Sequence, residues 1–109
     1  MKREIINATA NFTKWDFINS KNGYALQDEA GNTLNVTRAA MLDVDDEEGQ
    51  KKVSVLVTED GQYFTAISKS VFEVMDDIID LITDEGMAKV KINSRKSKGG
   101  RDFLTVFVI

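Results

Sequence analysis

The chain has no cysteine, no histidine and no proline, and a single tryptophan, Trp15, in 109 residues. Without cysteine there is no disulfide, no thiolate metal site and no thiol nucleophile. Without histidine, the commonest general base near neutral pH and the commonest zinc ligand are missing. No apolar run approaches the ~20 residues that a membrane helix needs, and MKREIINATANF holds no signal-peptide core. The expectation is a cytoplasmic protein that does not contact membrane. With no proline, repeat or low-complexity tract to mark a boundary, residues 1–109 are expected to form one domain.

Catalysis would then rest on carboxylates, Lys, Ser or Tyr. The carboxylates fall in solvated stretches where nothing would shift their pKa values, and there is no P-loop and no Gly-x-Gly-x-x-Gly. The acidic stretch Asp43–Gln50 fails as a calcium loop. Counted from Asp43, glycine comes seventh rather than sixth, and Ser54 stands twelfth, where a glutamate is needed. The expectation is a non-catalytic protein without metal or cofactor.

What the chain does have is segregated charge. The net charge is −4. Yet Lys89, Lys91, Arg95, Lys96, Lys98 and Arg101 fall in thirteen consecutive residues that contain no acid. Asp43, Asp45, Asp46, Glu47 and Glu48 form one acidic block, and Glu73, Asp76, Asp77, Asp80, Asp84 and Glu85 another. Opposite faces of the molecule are therefore expected to carry opposite potential.

Hydrophobic periodicity orders the elements. Ile5–Ala10 reads as a short strand or an arm. Phe12, Trp15, Phe17 and Ile18 follow, before an Asn22-Gly23 turn, and Trp15 and Phe17 would share a side in an extended segment. Tyr24–Asp28 and Thr33–Met41 read as a hairpin about Gly31-Asn32. Lys51–Thr58 and Gln62–Ile67 form a second hairpin about Asp60-Gly61. Val71, Met75, Ile78 and Ile82 then recur at helical spacing, with Ser70 and Glu73 as a capping box and Gly86 past the end, for an amphipathic helix of about three turns. Lys89–Asn93 alternates as a strand. Phe103–Ile109 is apolar on both sides and is expected to be deeply buried. Between them, 94–101 reads as a basic loop with paired glycines, fit to grip a phosphate backbone.

Counted from Thr33–Met41, the order is three strands, a helix and two strands. This predicts a mainly β, five-stranded Greek-key barrel of the oligonucleotide-binding type, with one α-helix between strands three and four and an extra N-terminal strand segment. In such a barrel the acidic stretch 43–50 joins strands one and two, the basic stretch 94–101 joins strands four and five, and both border a binding face on strands two and three. Tyr63 or Phe64 would offer a ring to a base; Tyr63 is preferred because its hydroxyl tolerates water. Lys51, Lys52, Lys89 and Lys91 would supplement the loop cations Arg95, Lys96, Lys98 and Arg101, and Trp15 is a second stacking candidate.

The Asn22-Gly23 turn, Glu59-Asp60-Gly61-Gln62-Tyr63, Ser68-Lys69-Ser70 ahead of an acidic helix, and above all the run Ser97-Lys98-Gly99-Gly100-Arg101-Asp102-Phe103-Leu104-Thr105 carry a resemblance. The chain resembles small single-stranded DNA-binding proteins of bacteriophages that infect Gram-positive bacteria. The resemblance spans most of the chain and implies coating of displaced single strands during phage DNA replication or recombination, with replication or recombination proteins as partners. The competing expectation is an interaction module that meets a host or replication partner through the acidic helix face. The apolar strand at 103–109 leaves self-association open.

Overall fold

The strand Thr33–Asp46 is the longest of the described strands and organises the sheet. It is β3 of seven strands in a computed structural model that describes residues 2–96 and 98–109. The others are β1 (Lys2–Ala8), β2 (Tyr24–Ala25), β4 (Gly49–Thr58), β5 (Tyr63–Ala66), β6 (Ala88–Lys96) and β7 (Asp102–Val108), with two α-helices, α1 (Lys14–Asn19) and α2 (Lys69–Glu85). β4 pairs antiparallel along most of one edge of β3. The other edge is divided: Thr33–Val36 pair with β6, and residues 40–45 pair with β1. A bulge between Val36 and Arg38 separates the two halves, where an extra residue bends the strand and tightens its twist. The resulting order is β2-β5-β4-β3-β6-β7, with β1 alongside β3.

From β3 onward the chain runs strand, strand, strand, helix, strand, strand, and the principal helix lies between the third and fourth of these. The sheet is curled in the manner of a half-barrel. β5 and β7, which would have to meet to close it, are not paired among the described residues.

The alternating residues of the sheet serve two cores. Leu34, Val36, Leu56, Phe64, Val90, Ile92, Leu104 and Val106 face α2, which buries Val71, Met75, Ile78, Ile79 and Ile82 against them. Each such side chain contributes on the order of 1.5–3 kcal/mol of apolar burial. Helix α2 starts where the Ser68 hydroxyl accepts from the Val71 N–H, and it stops at Gly86, whose φ of 85° is the left-handed position that glycine tolerates. On the opposite side of the sheet, Ala40, Leu42, Val44, Val55 and Val57 make a second core, closed by Phe12, Phe17 and Tyr63.

Several expectations are corrected. Among the described residues there are two α-helices and seven strands, not one helix and five strands with an N-terminal extra. The segment holding Trp15 and Phe17 is helical, because Thr13 and Asp16 form a capping box at its start. Tyr24–Asp28 is not the first arm of a hairpin: Tyr24–Ala25 pairs in parallel with β5, and Leu26–Glu29 is a 3-10 turn. Gly23 permits that approach, since a Cβ there would lie 3.0 Å from Thr65 Cγ2 and 3.2 Å from the Tyr63 carbonyl oxygen. Helix α2 is 17 residues long, nearly five turns, and its cap is Ser68 rather than Ser70. The acidic stretch 43–50 is mostly strand, with Asp43 opposite Lys52 and Asp46 opposite Gly49, so only Glu47 and Glu48 lie between β3 and β4. The basic loop is likewise shorter than 94–101, because β6 continues to Lys96. Ser97, within that loop, lies outside the described residues.

Candidate nucleic-acid interface

The hairpin of β6 and β7 has one buried side and one open side. Ala88, Val90 and Ile92 of β6 and Leu104 and Val106 of β7 point into the core under α2. Lys89, Lys91, Asn93 and Arg95 alternate with the β6 core residues and so face the other way. Strand register sets Lys91 opposite Phe107, Asn93 opposite Thr105 and Arg95 opposite Phe103. Paired residues share a face, so cations on one strand stand beside aromatic rings on the next. Phe103 is 38% exposed and Phe107 41%. The Arg95 guanidinium lies 5.0 Å from the centre of the Phe107 ring, within reach of a cation–π contact. Thr105, between the two rings, keeps its hydroxyl covered and without a hydrogen-bond partner among the described residues.

This overturns the expectation that Phe103–Ile109 is buried on both sides. The strand is apolar throughout, but its outer face is only partly covered: Phe103 and Phe107 there are exposed, as are Val108 and Ile109 at its end. Phe103 and Phe107 are therefore candidate site residues that the sequence pattern did not single out. Their signal was the spacing Phe103, Thr105, Phe107 beside the alternating cations of Lys89–Arg95. The equally apolar Leu104, Val106 and Val108 between them masked it.

The other candidates are placed as follows. Lys96 ends β6 opposite Asp102, on the alternation opposite to Arg95. Lys98 and Arg101 lie in the turn, where Gly100 takes a φ of 78°. These cations share one hairpin with Lys89, Lys91 and Arg95. Lys51 and Lys52 do not join them. They lie on the β3–β4 hairpin, where Lys51 Nζ is 3.0 Å from Asp46 and 3.3 Å from Glu48, and Lys52 Nζ is 3.1 Å from Asp43. Lys51 pairs with Val44 and Lys91 with Thr33, so roughly 35 Å of β3 path separates the two groups at about 3.3 Å per residue. The Asp46 bond raises the pKa of the Lys51 ammonium, and the Lys51 bond lowers that of the Asp46 carboxyl. Hydrogen bonds from Gln50 and then Lys52 lower that of Asp43.

Tyr63 lies on the face of β5 opposite to Phe64, which is buried under α2, and packs half-buried against the second core. Its hydroxyl is already engaged, donating to Asp16 Oδ1 at 2.5 Å. Asp16 is the hub of the N-terminal segment. Its side chain is 4% exposed and pairs with Arg38 Nε at 3.0 Å, and it accepts from the Thr13 N–H at 2.9 Å. Burial opposes its ionisation, but the Thr13 N–H, the Tyr63 hydroxyl and the Arg38 guanidinium outweigh burial and hold its pKa below the usual carboxylate value. Arg3 fastens the same segment to β1. Its guanidinium lies 4.4 Å from the Phe17 ring centre and donates to the Phe17 carbonyl and the Ser20 hydroxyl, each at 3.0 Å. The expected binding floor on β4 and β5 is therefore the floor of the second core, occupied by Phe12 and Phe17. Trp15 sits on α1, 68% exposed.

A protein-family model described as phage single-stranded DNA-binding protein matches residues 5–108, nearly the whole chain. The chain belongs to that family. The single-stranded DNA-binding protein of Bacillus phage B103 is 34% identical over 62 residues, which cover 55% of this chain and 51% of that protein. The chain thus matches about half the length of this relative. No solved structure matches the chain. Within the family frame, the β6–β7 face has the two components that single-strand binding needs, cations to follow a phosphate backbone and rings on which bases stack.

Proposed function

We propose that this chain coats single-stranded DNA without catalysis, laying the strand along the outer face of β6 and β7. The observation that carries the proposal is the register that sets Lys91 beside Phe107 and Arg95 beside Phe103 on an exposed face. Lys89, Lys91, Arg95, Lys96, Lys98 and Arg101 supply the charge for the backbone. Phe103 and Phe107 supply stacking, worth about 1–3 kcal/mol per base and tolerant of sequence because every base has a π-face. Trp15 extends the surface at the adjoining half of the sheet. Tyr63 serves the fold through Asp16 instead of the strand, and Lys51 and Lys52 serve their own hairpin.

The acidic face of α2 lies on the far side of the sheet from Lys89, Lys91 and Arg95. Asp76 there accepts a hydrogen bond from the Asn7 amide at 2.8 Å, so part of that face already ties α2 to β1. Its remaining carboxylates are a surface for replication or recombination proteins, secondary to strand binding.

Anisotropy of a labelled oligo-dT at two salt concentrations tests the proposal. Backbone contacts predict that log affinity falls with log salt by about 0.7 per phosphate neutralised on a single strand. A flat salt dependence would reject it.

A further inference from the structure

We propose that the open seam between β5 and β7 is a nucleotide pocket that takes one unstacked base of the bound strand. The proposal rests on the strand path along β6 and β7 described above. Among the described residues no ladder joins β5 to β7, and between them lies a cleft of about 600 Å³ whose lining includes Gln27, Thr65, Lys69, Ser70 and Phe103. This volume falls in the range of small-ligand sites, about 300–1,000 Å³.

Phe103 connects the cleft to the interface. It stands opposite Arg95 on the basic face and also lines the cleft. A strand followed from Phe107 to Phe103 therefore arrives at the mouth, where Ile67 adds a side chain that is 70% exposed. The chemistry inside suits a base. The amide of Gln27, the hydroxyls of Thr65 and Ser70 and the ammonium of Lys69 line the cleft without any hydrogen-bond or ion-pair partner among the described residues. They can donate to and accept from a base edge. Asp102 also lines it. A carboxylate there repels phosphate but accepts from the imino and amino groups that bases carry. The cleft thus selects the base of a nucleotide and leaves its phosphate to the cations outside. The wall is tightly built, since a Cβ at Gly23, just before β2, would lie only 3.0 Å from Thr65 Cγ2 on β5.

Oligo-dT carrying one photoreactive uracil at successive positions, irradiated with the wild-type protein, provides the first test. The expected result is a crosslink to Phe103 or to residues 23–27 from a restricted set of positions. Filling the pocket provides the second. Ala25→Trp is expected to weaken oligo-dT binding by roughly tenfold, the worth of a single stacked base. It should bind as wild type does when the crosslinking position is abasic. Gln27→Ala, at an exposed side chain with no hydrogen-bond partner among the described residues, should lose affinity by a few-fold on the intact oligomer and by nothing on the abasic one. Crosslinks absent from the seam, or losses equal on intact and abasic strands, would overturn the pocket. Unchanged binding by Lys91→Glu would instead overturn the β6–β7 path, because that variant should weaken intact and abasic strands alike.

Discussion

On the side of the sheet away from α2, strands β3 and β4 present Leu42, Val44, Val55 and Val57, whereas β6 and β7 present Lys89, Lys91, Arg95, Phe103 and Phe107. The first half is closed by Phe12 and Phe17, pinned down through Asp16, Arg38 and Arg3. The second half is open. The difference follows from the side chains. Branched aliphatics have no partner in water or in nucleic acid other than apolar surface, so the chain supplies that surface itself. A strip of cations beside aromatic rings is stable in water at modest cost, since the long cationic side chains keep their charges solvated and shade the rings. The same strip gains most when a polyanion with flat bases arrives.

The largest expected effect comes from breaking the open half. Lys91→Glu with Arg95→Glu should lower affinity for oligo-dT by about a hundredfold or more at low salt. It should also flatten the salt slope by about 1.4, two phosphates at about 0.7 each. Salt-dependent anisotropy reads both quantities. Equal loss in Lys51→Glu with Lys52→Glu would erase the distinction between the two hairpins.

Next in size is Phe107→Ala, expected to cost about 1–3 kcal/mol in strand affinity and to leave thermal stability nearly unchanged, because the ring is exposed. A variant that unfolds early while binding normally would move Phe107 from the interface to the core.

The closed half should respond in the opposite sense. Asp16→Asn removes the charge opposite Arg38 and is expected to cost about 1–3 kcal/mol of stability. Strand affinity of the folded protein should remain. The pH dependence has the same origin. The folded carboxyl has a depressed pKa, so its contribution is full above the unfolded value of about 3.9 and is lost as pH falls through the folded value. Denaturant midpoints should fall in that acid range for wild type more than for Asp16→Asn, with Trp15 emission reporting the release of α1. The smallest effect belongs to Lys52→Ala, which should change affinity by less than about twofold, since its ammonium already faces Asp43 at the surface.

These contrasts were legible in the sequence to different degrees. Helix α2 announced itself through Val71, Met75, Ile78 and Ile82, because a 3.6-residue period with acids on the other face has one stable solution. The Asp60-Gly61 hairpin was equally plain. The acidic stretch 43–50 was misread because a strand with aspartates at alternate positions looks solvated until the facing Lys52 and Gln50 are known. Helix α1 carried its own signal, Thr13 followed three residues later by Asp16, but it is six residues long and too short for periodicity to register.

By itself, the sequence determined the order of the main strands about α2, the concentration of cations in residues 89–101, and the absence of cysteine and histidine chemistry. These follow from local pattern and composition, which act over a few residues. Tertiary structure alone decided which face of Phe103–Val108 stays open, that Tyr63 turns to Asp16, and that Lys51 and Lys52 are neutralised by β3. Each of these depends on which strand lies alongside, and register between strands distant in the chain is set by how the whole sheet buries its apolar faces.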